Sequence, residues 1–359
     1  MPGTGTSGTQ RNVRSRELPQ PSFAVVIPMY NERAGAELCV RSVCEQLRTL
    51  PNASTLIVVN DGSTDGTDTR VSIKPNYTYP CYKPGVTTSP AVLEAAVRVL
   101  RDYTPHIRIV ESDGGSVAWS AEQAFSGHGV PELCRKYGVA AVGLSQQPRK
   151  LARTVVAGEE IEMELPVLLV EETDFFITMP VPKVHAMTGL SLGFKNQWGC
   201  IPDVKRLKHH PQFSSKIIAV NKILRTRLAI FDGTYFLDRS GPMEGDAVRR
   251  DLLIIGEVGA ATRVCCDLMM VDPRTIRHLQ GAMREGMMPV TLEGVKLNCD
   301  IADLRRPFRL RRSPLNWLTL AVFHNQFATN LLYNSGFAGP MHELLYMLRG
   351  RPKDFAPKW

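Results

Sequence analysis

The 359-residue sequence lacks the cysteine patterns of structural zinc proteins and of disulfide-rich proteins. Its eight cysteines are scattered, with no CxxC pair and no Cys/His spacing of the structural zinc type. Isolated cysteines of this kind are typical of reduced thiols, so the sequence predicts a cytoplasmic protein without a disulfide framework. No iron–sulfur cluster is expected either, because the chain has no run of four closely spaced cysteines.

Long apolar runs are also missing. No stretch approaches the ~18 consecutive apolar residues that a membrane span requires, and the best runs are residues 165–170 and 318–323. Residues 1–22 are rich in Gly, Thr, Ser and Arg without an apolar core segment, which predicts a disordered tail and excludes a secretory signal. The sequence therefore predicts no transmembrane span and leaves contact with a membrane surface open.

Charge of neither sign dominates. Lys and Arg number 43 against 35 Asp and Glu, and this mild excess suits an acidic small substrate, an anionic surface or nucleic acid equally well. Basic residues concentrate at 205–210 and 305–312, with little aromatic interleaving and no nucleic-acid motif. We therefore expect a solvated basic face, a packed carboxyl-terminal helix within 317–332 and no nucleic-acid partner.

The hydrophobic pattern has the order of β-α-β units. FAVVIP at 23–28 is a β-branched run ended by Pro, helical spacing follows over 33–50, and a second apolar run at 56–59 leads into the loop NDGSTDGT. Later units repeat this order, including a helix at 89–103 with Ser89 as its N-cap. The pattern predicts an α/β fold with a mostly parallel sheet, helices on both faces and a helical carboxyl-terminal segment. Turns are expected at Asp232-Gly233 and at 241–245.

VVIPMYNE (25–32) and VVNDGSTDGT (58–67) resemble the opening of the family 2 glycosyltransferases, whose GT-A fold binds a nucleotide-diphosphate sugar. The resemblance implies that Asp61 reads the uracil imide while Asn31 and Glu32 reach the base or ribose. That family also needs a DxD-type acidic motif on a divalent cation, Mg²⁺ or Mn²⁺, and Glu111 and Asp113 occupy a tolerable spacing for it. The alternative is a Gly/Asp turn that merely links two strands.

A second series of motifs begins after Val71. It consists of IKPN (73–76), GVTTSPAVLEAAVRVL (85–100), IVESDGG (109–115), PKVHAMTGLSLGFKNQWGCIPD (182–203), IFDGT (230–234) and GPMEG (241–245). In order and spacing this series resembles the uncharacterised family DUF362. The resemblance spans about residues 70–282, whereas the truncated glycosyltransferase-like segment ends near 68. We therefore predict a tail at 1–22, a nucleotide-sugar-binding fragment at 23–69, a DUF362 domain at 70–302 and a helical extension at 303–359.

The best constellation for chemistry in the second part is Lys183, His185, Lys195 and Asn196. Two ammonium groups and an imidazole on one glycine-rich loop rim would bind a carboxylate or phosphate beside a titratable group. Lys183, His185 and Lys195 are therefore candidate catalytic residues. The segment also resembles the Lys/His and Gly-rich segments of the lactate racemase amino-terminal domain, which implies a small hydroxy- or keto-acid. The alternative is two solvated cations and a core histidine.

Two further groups follow strand ends. Lys74 and Asn76, with Thr87 and Thr88 before the next helix, would hold an anion at the helix amino terminus, or would form an ordinary N-cap turn. Glu111 and Asp113 before two glycines could be a metal-ligand pair, a general base or a solvated acidic turn.

These patterns favour a DUF362-type protein whose enzyme-like domain binds a small anionic metabolite. One alternative is a GT-A glycosyltransferase that uses a UDP-sugar and a divalent cation, and another is a non-catalytic module that binds a nucleotide-sugar or anion. Whether the chain is an enzyme, and with which cofactor, stays open.

Overall fold

The structure is a computed structural model that describes residues 69–115 and 119–336, two strands near the amino terminus and positions 340, 343, 344 and 347. The two strands, β1 (Ala24–Met29) and β2 (Thr55–Asn60), pair in parallel. The nucleotide-binding candidates Asn31, Glu32 and Asp61 lie outside the described residues.

Ten further strands follow within the described part of the chain. They are β3 (Val71–Pro75), β4 (Ile107–Glu111), β5 (Ala140–Gly143), β6 (Arg149–Val156), β7 (Glu159–Pro166), β8 (Phe175–Met179), β9 (Lys183–His185), β10 (Gly189–Ser191), β11 (Leu228–Asp238) and β12 (Asp246–Glu257). Strands β6 and β7 form a separate antiparallel hairpin, and the other eight form the main sheet.

Ten α-helices lie in the same described ranges. They are α1 (Pro90–Leu100), α2 (Ala121–Gly127), α3 (Val130–Tyr137), α4 (Val167–Val170), α5 (Gly193–Asn196), α6 (Phe213–Ile223), α7 (Val258–Leu268), α8 (Arg277–Arg284), α9 (Pro314–Phe323) and α10 (Gln326–Asn334). None of these helices is both long enough and apolar enough to cross a membrane.

The main sheet confirms the predicted α/β architecture. Its central strands run in the order β5-β4-β3-β8-β11 and are all parallel, whereas β10 and β12 join antiparallel to β9 and β11. Ile73 at the centre pairs with Ile109 on one side and Ile177 on the other, and all three are fully buried. Both faces of these strands are largely buried, as is typical of parallel sheets, although β3 (VSIKP) and β4 (IRIVE) also carry polar residues.

Helices cover the sheet and enclose two hydrophobic cores. One core contains Leu93 and Val97 of α1 with Leu133 of α3, and the other contains Ile217 of α6 and Val264 of α7. Helix α1 begins as predicted, because the Ser89 side chain accepts a hydrogen bond from the backbone N–H of Val92.

Two local predictions were wrong. The Asp232-Gly233 pair lies inside β11, where the register shifts by a bulge between Gly233 and Tyr235. Asp232 is buried there, and its carboxylate accepts hydrogen bonds from the Ser89 N–H (2.7 Å) and the Thr234 hydroxyl (2.7 Å). The Asp-Gly pair, which is typical of a turn, thus lies at a β-bulge. The hydrogen bond from Ser89 to Asp232 connects β11 to the start of α1.

The carboxyl-terminal stretch also differs from the expectation of one packed helix. It forms α9 and α10, separated where the Asn325 side chain caps α10. Phe323 is buried against the ring of His210, but Trp317 and Phe327 are 57% and 77% exposed. The apolar residues of this stretch are therefore only partly covered.

Candidate functional site

A cavity of about 150 Å³ opens at the carboxyl ends of β3 and β4. Open parallel sheets bind ligands outside the carboxyl ends of their strands. The polar side chains of the wall come from the strand ends, from α5 and from the 3₁₀ helix Arg206–Gln212. They include Lys74, Asn76, Glu111, Lys195, Asn196 and Arg206.

Lys74 and Glu111 form a buried ion pair in this wall. The Lys74 ammonium donates to Glu111 Oε2 (2.6 Å) and to the carbonyl of Pro75 (2.7 Å). Glu111 also accepts from the backbone N–H groups of Tyr77 (3.2 Å) and Ser112 (3.1 Å). The two charges cancel locally and both are hydrogen-bonded, so the pair presents a fixed, neutral surface to the cavity.

Gly199 permits the backbone to close over this pair. A Cβ atom at Gly199 would lie 2.9 Å from Oε1 of Glu111 and 2.9 Å from Nζ of Lys74. Side chains this deeply buried have little space to move away. The glycine of the KNQWGC segment is therefore required by close approach to the Lys74–Glu111 pair.

Lys195 is the cation of the cavity wall that lacks a partner. Its side chain is half-buried, and its ammonium has no hydrogen bond or ion pair with any described residue. Burial, and then the neighbouring guanidinium of Arg206, lowers the pKa of Lys195 from 10.5 to about 7. The group therefore changes charge near neutral pH.

Arg206 is the site residue that the sequence analysis missed. The basic run at 205–210 predicts a solvated face, but Arg206 is buried and lines the cavity. Its guanidinium donates to the backbone carbonyls of Asp113 (2.7 Å) and Ile201 (3.3 Å), with no carboxylate partner among the described residues. No local signal separates Arg206 from the exposed Lys205 beside it, because the packing of the whole segment decides which one turns inward.

Two carboxamides complete the polar lining. Asn196 donates to the Lys74 carbonyl (2.9 Å) and the Thr178 hydroxyl (2.9 Å), which fixes α5 against β3 and β8. The backbone of Asn76 is tied to Thr88, whereas its buried side chain has no partner among the described residues. Asn76 thus leaves a donor and an acceptor free at the cavity.

Lys183 and His185 lie outside the cavity wall. Lys183 is fully buried and donates to the Val86 carbonyl (2.6 Å) and the Thr78 hydroxyl (3.2 Å). His185 Nδ1 accepts from the Met187 N–H (3.1 Å). Burial, and then the nearby Lys195, lowers the pKa of both groups well below their ordinary values. Both side chains therefore support the structure behind the cavity, and Thr78, which does line it, connects Lys183 to the wall.

The two threonines hold the loop before α1. The Thr87 hydroxyl accepts from the Lys83 N–H (2.8 Å), and the Thr88 hydroxyl donates to the Met179 carbonyl (2.7 Å). The first backbone N–H before α1, that of Ser89, is bonded to Asp232. The geometry of these residues is therefore that of an ordinary N-cap turn, held by hydrogen bonds to other protein groups.

The carboxylates of Glu111 and Asp113 are bonded to different groups and do not form a pair of metal ligands. Asp113 accepts from the Ala121 N–H (2.8 Å) with one oxygen and from the Gln146 amide (3.0 Å) with the other, while Glu111 is held by Lys74. In the described ranges there is no group of three or more His, Cys, Asp or Glu side chains that could hold a metal ion.

Comparison with known families matches the part of the chain that contains the cavity. A model described as a domain of unknown function, DUF362, matches residues 71–267, which is just over half of the chain. The chain belongs to the DUF362 family. A model for glycosyl transferase family 2 matches residues 24–72, so the junction of the two resemblances near residue 70 is confirmed.

Individual relatives are more distant. A thylakoid-associated protein of Synechocystis sp. is 29% identical over 130 residues, which are 34% of this chain and 40% of that protein. The DUF362 chain thus matches less than half the length of this relative. Among solved structures, the lactate racemase apoprotein from Thermoanaerobacterium thermosaccharolyticum is 13% identical with a TM-score of 0.42, covering 71% of this chain and 60% of that one. A Thermotoga maritima protein is 16% identical with a TM-score of 0.38, covering 65% and 58%.

Proposed function

We propose that the DUF362 domain binds a small metabolite bearing a carboxylate or phosphate in the cavity between β3 and β4. The observation that carries the proposal is the charge of the wall. Lys195 and Arg206 face the cavity without a carboxylate partner among the described residues, while Lys74 is neutralised by Glu111. An anion would bind to Lys195 and Arg206 through charge-assisted hydrogen bonds.

The size of the cavity limits the ligand. A cavity of about 150 Å³ is of the size that holds one benzene-sized molecule. This space favours a small acid or phosphate over a nucleotide-sugar. The free carboxamide of Asn76 would then bind a hydroxyl or carbonyl oxygen of the same molecule.

The first prediction concerns thermal stabilisation by small anions. We expect inorganic phosphate, lactate or pyruvate to raise the unfolding temperature of the full chain by several degrees at saturation, since a ligand at 100-fold its Kd contributes about 2.7 kcal/mol. The effect should be largest near pH 6 and should weaken above pH 7, because Lys195 loses its proton there. Differential scanning fluorimetry at constant ionic strength measures it.

A matched pair of variants controls this prediction. Lys195→Met removes one of the two cavity cations that lack a carboxylate partner among the described residues and should greatly reduce the shift, whereas Lys205→Met removes an exposed charge from the neighbouring basic run and should preserve it. An equal shift in both variants, or no shift with any of the three anions, would contradict anion binding in this cavity.

We also propose that the carboxyl-terminal helices attach the protein to an anionic membrane surface. Trp317, Leu318 and Phe327 are 57%, 63% and 77% exposed. The preceding segment carries exposed Arg306, Arg309 and Arg311, whose guanidinium groups have no partner among the described residues. Apolar side chains beside unpaired cations are typical of surface-bound helices on anionic lipid. The name of the thylakoid-associated relative is consistent with this attachment.

The second prediction tests that attachment by co-sedimentation with vesicles. The full chain should bind vesicles containing phosphatidylglycerol severalfold better than neutral phosphatidylcholine vesicles, and salt should weaken binding because it screens the arginines. A double Trp317→Ser and Phe327→Ser variant should lose most binding, while Leu151→Ser, at an exposed apolar position on β6, should not. Salt-independent binding, or a chain that instead dimerises through this surface, would refute the proposal.

A further inference from the structure

Three buried or half-buried lysines lie around the cavity. The partners of their amino groups differ, and these partners decide which amine is free to react. Lys74 is held by the carboxylate of Glu111. Lys183 is fully buried and donates to Val86 and Thr78 outside the wall. Lys195 lines the cavity, and its ammonium group has no hydrogen bond or ion pair to a described residue. Of these three amines, Lys195 is therefore the one that lines the cavity without being held by a described partner.

Reaction requires the neutral amine, since an ammonium has no free electron pair. No described carboxylate holds the proton on Lys195, and the Arg206 guanidinium and burial both disfavour its charge. A lysine beside another cation in a poorly hydrated pocket is an activated nucleophile for carbonyl carbon. The pKa of Lys195, lowered to about 7, supports this reactivity near neutral pH.

The rest of the wall fits an acid that also carries a carbonyl group. Arg206 is buried and has no carboxylate partner among the described residues, so its guanidinium suits the carboxylate of the ligand. Asn76 offers an amide N–H to the carbonyl oxygen. A cavity of about 150 Å³ admits a short-chain oxo acid.

We propose that Lys195 forms an imine with a small oxo acid bound in this cavity. The inference rests on the proposed anion site and adds the substrate class. The neutral amine attacks the carbonyl carbon, and the C=O electron pair moves to oxygen, which takes up a proton. The oxygen then leaves as water with a second proton as the C=N bond forms. The nitrogen loses two protons and the water carries them away, so no oxidant or other co-reactant is needed.

The experiment is reductive trapping of the full chain. Pyruvate and sodium cyanoborohydride are added, and the adduct is located by intact mass and peptide mapping. We expect one reduced pyruvate per chain, on Lys195, with labelling that rises severalfold between pH 5.5 and 7.5. A surface lysine would gain reactivity only at much higher pH.

Lactate is the matched ligand, because it has the same carboxylate but no carbonyl carbon. It should raise the unfolding temperature and protect Lys195 from pyruvate without forming an adduct itself. Lys195→Arg should remove the adduct while Lys205→Arg retains it, with circular dichroism of both variants confirming the fold. Labelling spread over surface lysines, or centred on Lys74 or Lys183, would overturn the proposal.

The two proposals fail in distinguishable ways. If pyruvate stabilises the chain but no adduct forms at any pH, the imine is refuted and the anion site remains. If none of the anions changes the unfolding temperature and trapping yields no adduct on Lys195, both proposals are refuted.

Discussion

Replacing Glu111 with alanine should lower the free energy of unfolding by about 3–5 kcal/mol, as is usual when one partner of a buried ion pair is removed. The variant leaves the Lys74 ammonium in a site that is only 2% exposed. It also removes the acceptor of the Tyr77 and Ser112 backbone N–H groups. Urea denaturation of Glu111→Ala and the wild-type chain at pH 7 measures the loss.

Two comparisons separate this effect from general damage. Lys74→Met combined with Glu111→Leu removes both charges and should recover much of the lost stability, because burial of apolar groups replaces burial of an unpaired ion. Glu162→Ala breaks a largely exposed pair with Arg153 on the β6–β7 hairpin and should cost less than about 1 kcal/mol. A loss below 1 kcal/mol for Glu111→Ala would show that the pair is not a buried charge pair in solution.

The sheet and its ligand edge could be predicted because both follow from local pattern. Apolar β-branched runs predict buried parallel strands, and parallel strands bring their carboxyl ends to one edge. Lys74 is next to the last residue of β3 and Glu111 is the last residue of β4, and they do meet in the cavity wall. Lys195 and Asn196, from a distant glycine-rich segment, line the same cavity.

The rest depended on packing between segments distant in the sequence. Lys183 and His185 precede the glycine-rich segment closely, but β9 pairs with β10 and buries both side chains away from the cavity. Arg206 lies in a basic run whose charges look equivalent in sequence, yet it turns inward to the Asp113 carbonyl. Strand alternation and helix periodicity do not encode these contacts, which arise only after the elements have packed.

Acid should destabilise the fold through two buried histidines. His128 is stacked on Tyr77 with its ring centroid 3.8 Å away, and burial lowers its pKa to about 4. Burial, and then the nearby Lys195, lowers the pKa of His278 to about 3. The Nε2 atoms of both rings are buried without a hydrogen-bond partner among the residues that the structure describes, so neither ring is prepared to carry a charge.

The direction of the pH effect follows from which state binds the proton. The unfolded chain protonates these histidines near pH 6.5, whereas the folded chain resists protonation until about pH 4 or below. Stability is therefore full above pH 6.5 and is lost as the pH falls towards 4. With about 1.4 kcal/mol per pKa unit, His128 alone accounts for about 3 kcal/mol, and His278 for a similar or larger amount.

Urea denaturation between pH 7 and 4.5 should reveal this loss as a steep decline in the free energy of unfolding. His128→Phe retains an aromatic ring against Tyr77 and removes the titrating group, so its decline should be shallower than that of the wild-type chain. His106→Gln, at an exposed position, should leave the slope unchanged. If His128→Phe and wild type decline in parallel, His128 binds its proton equally well in the folded and unfolded chains, and the acid sensitivity must come from other groups.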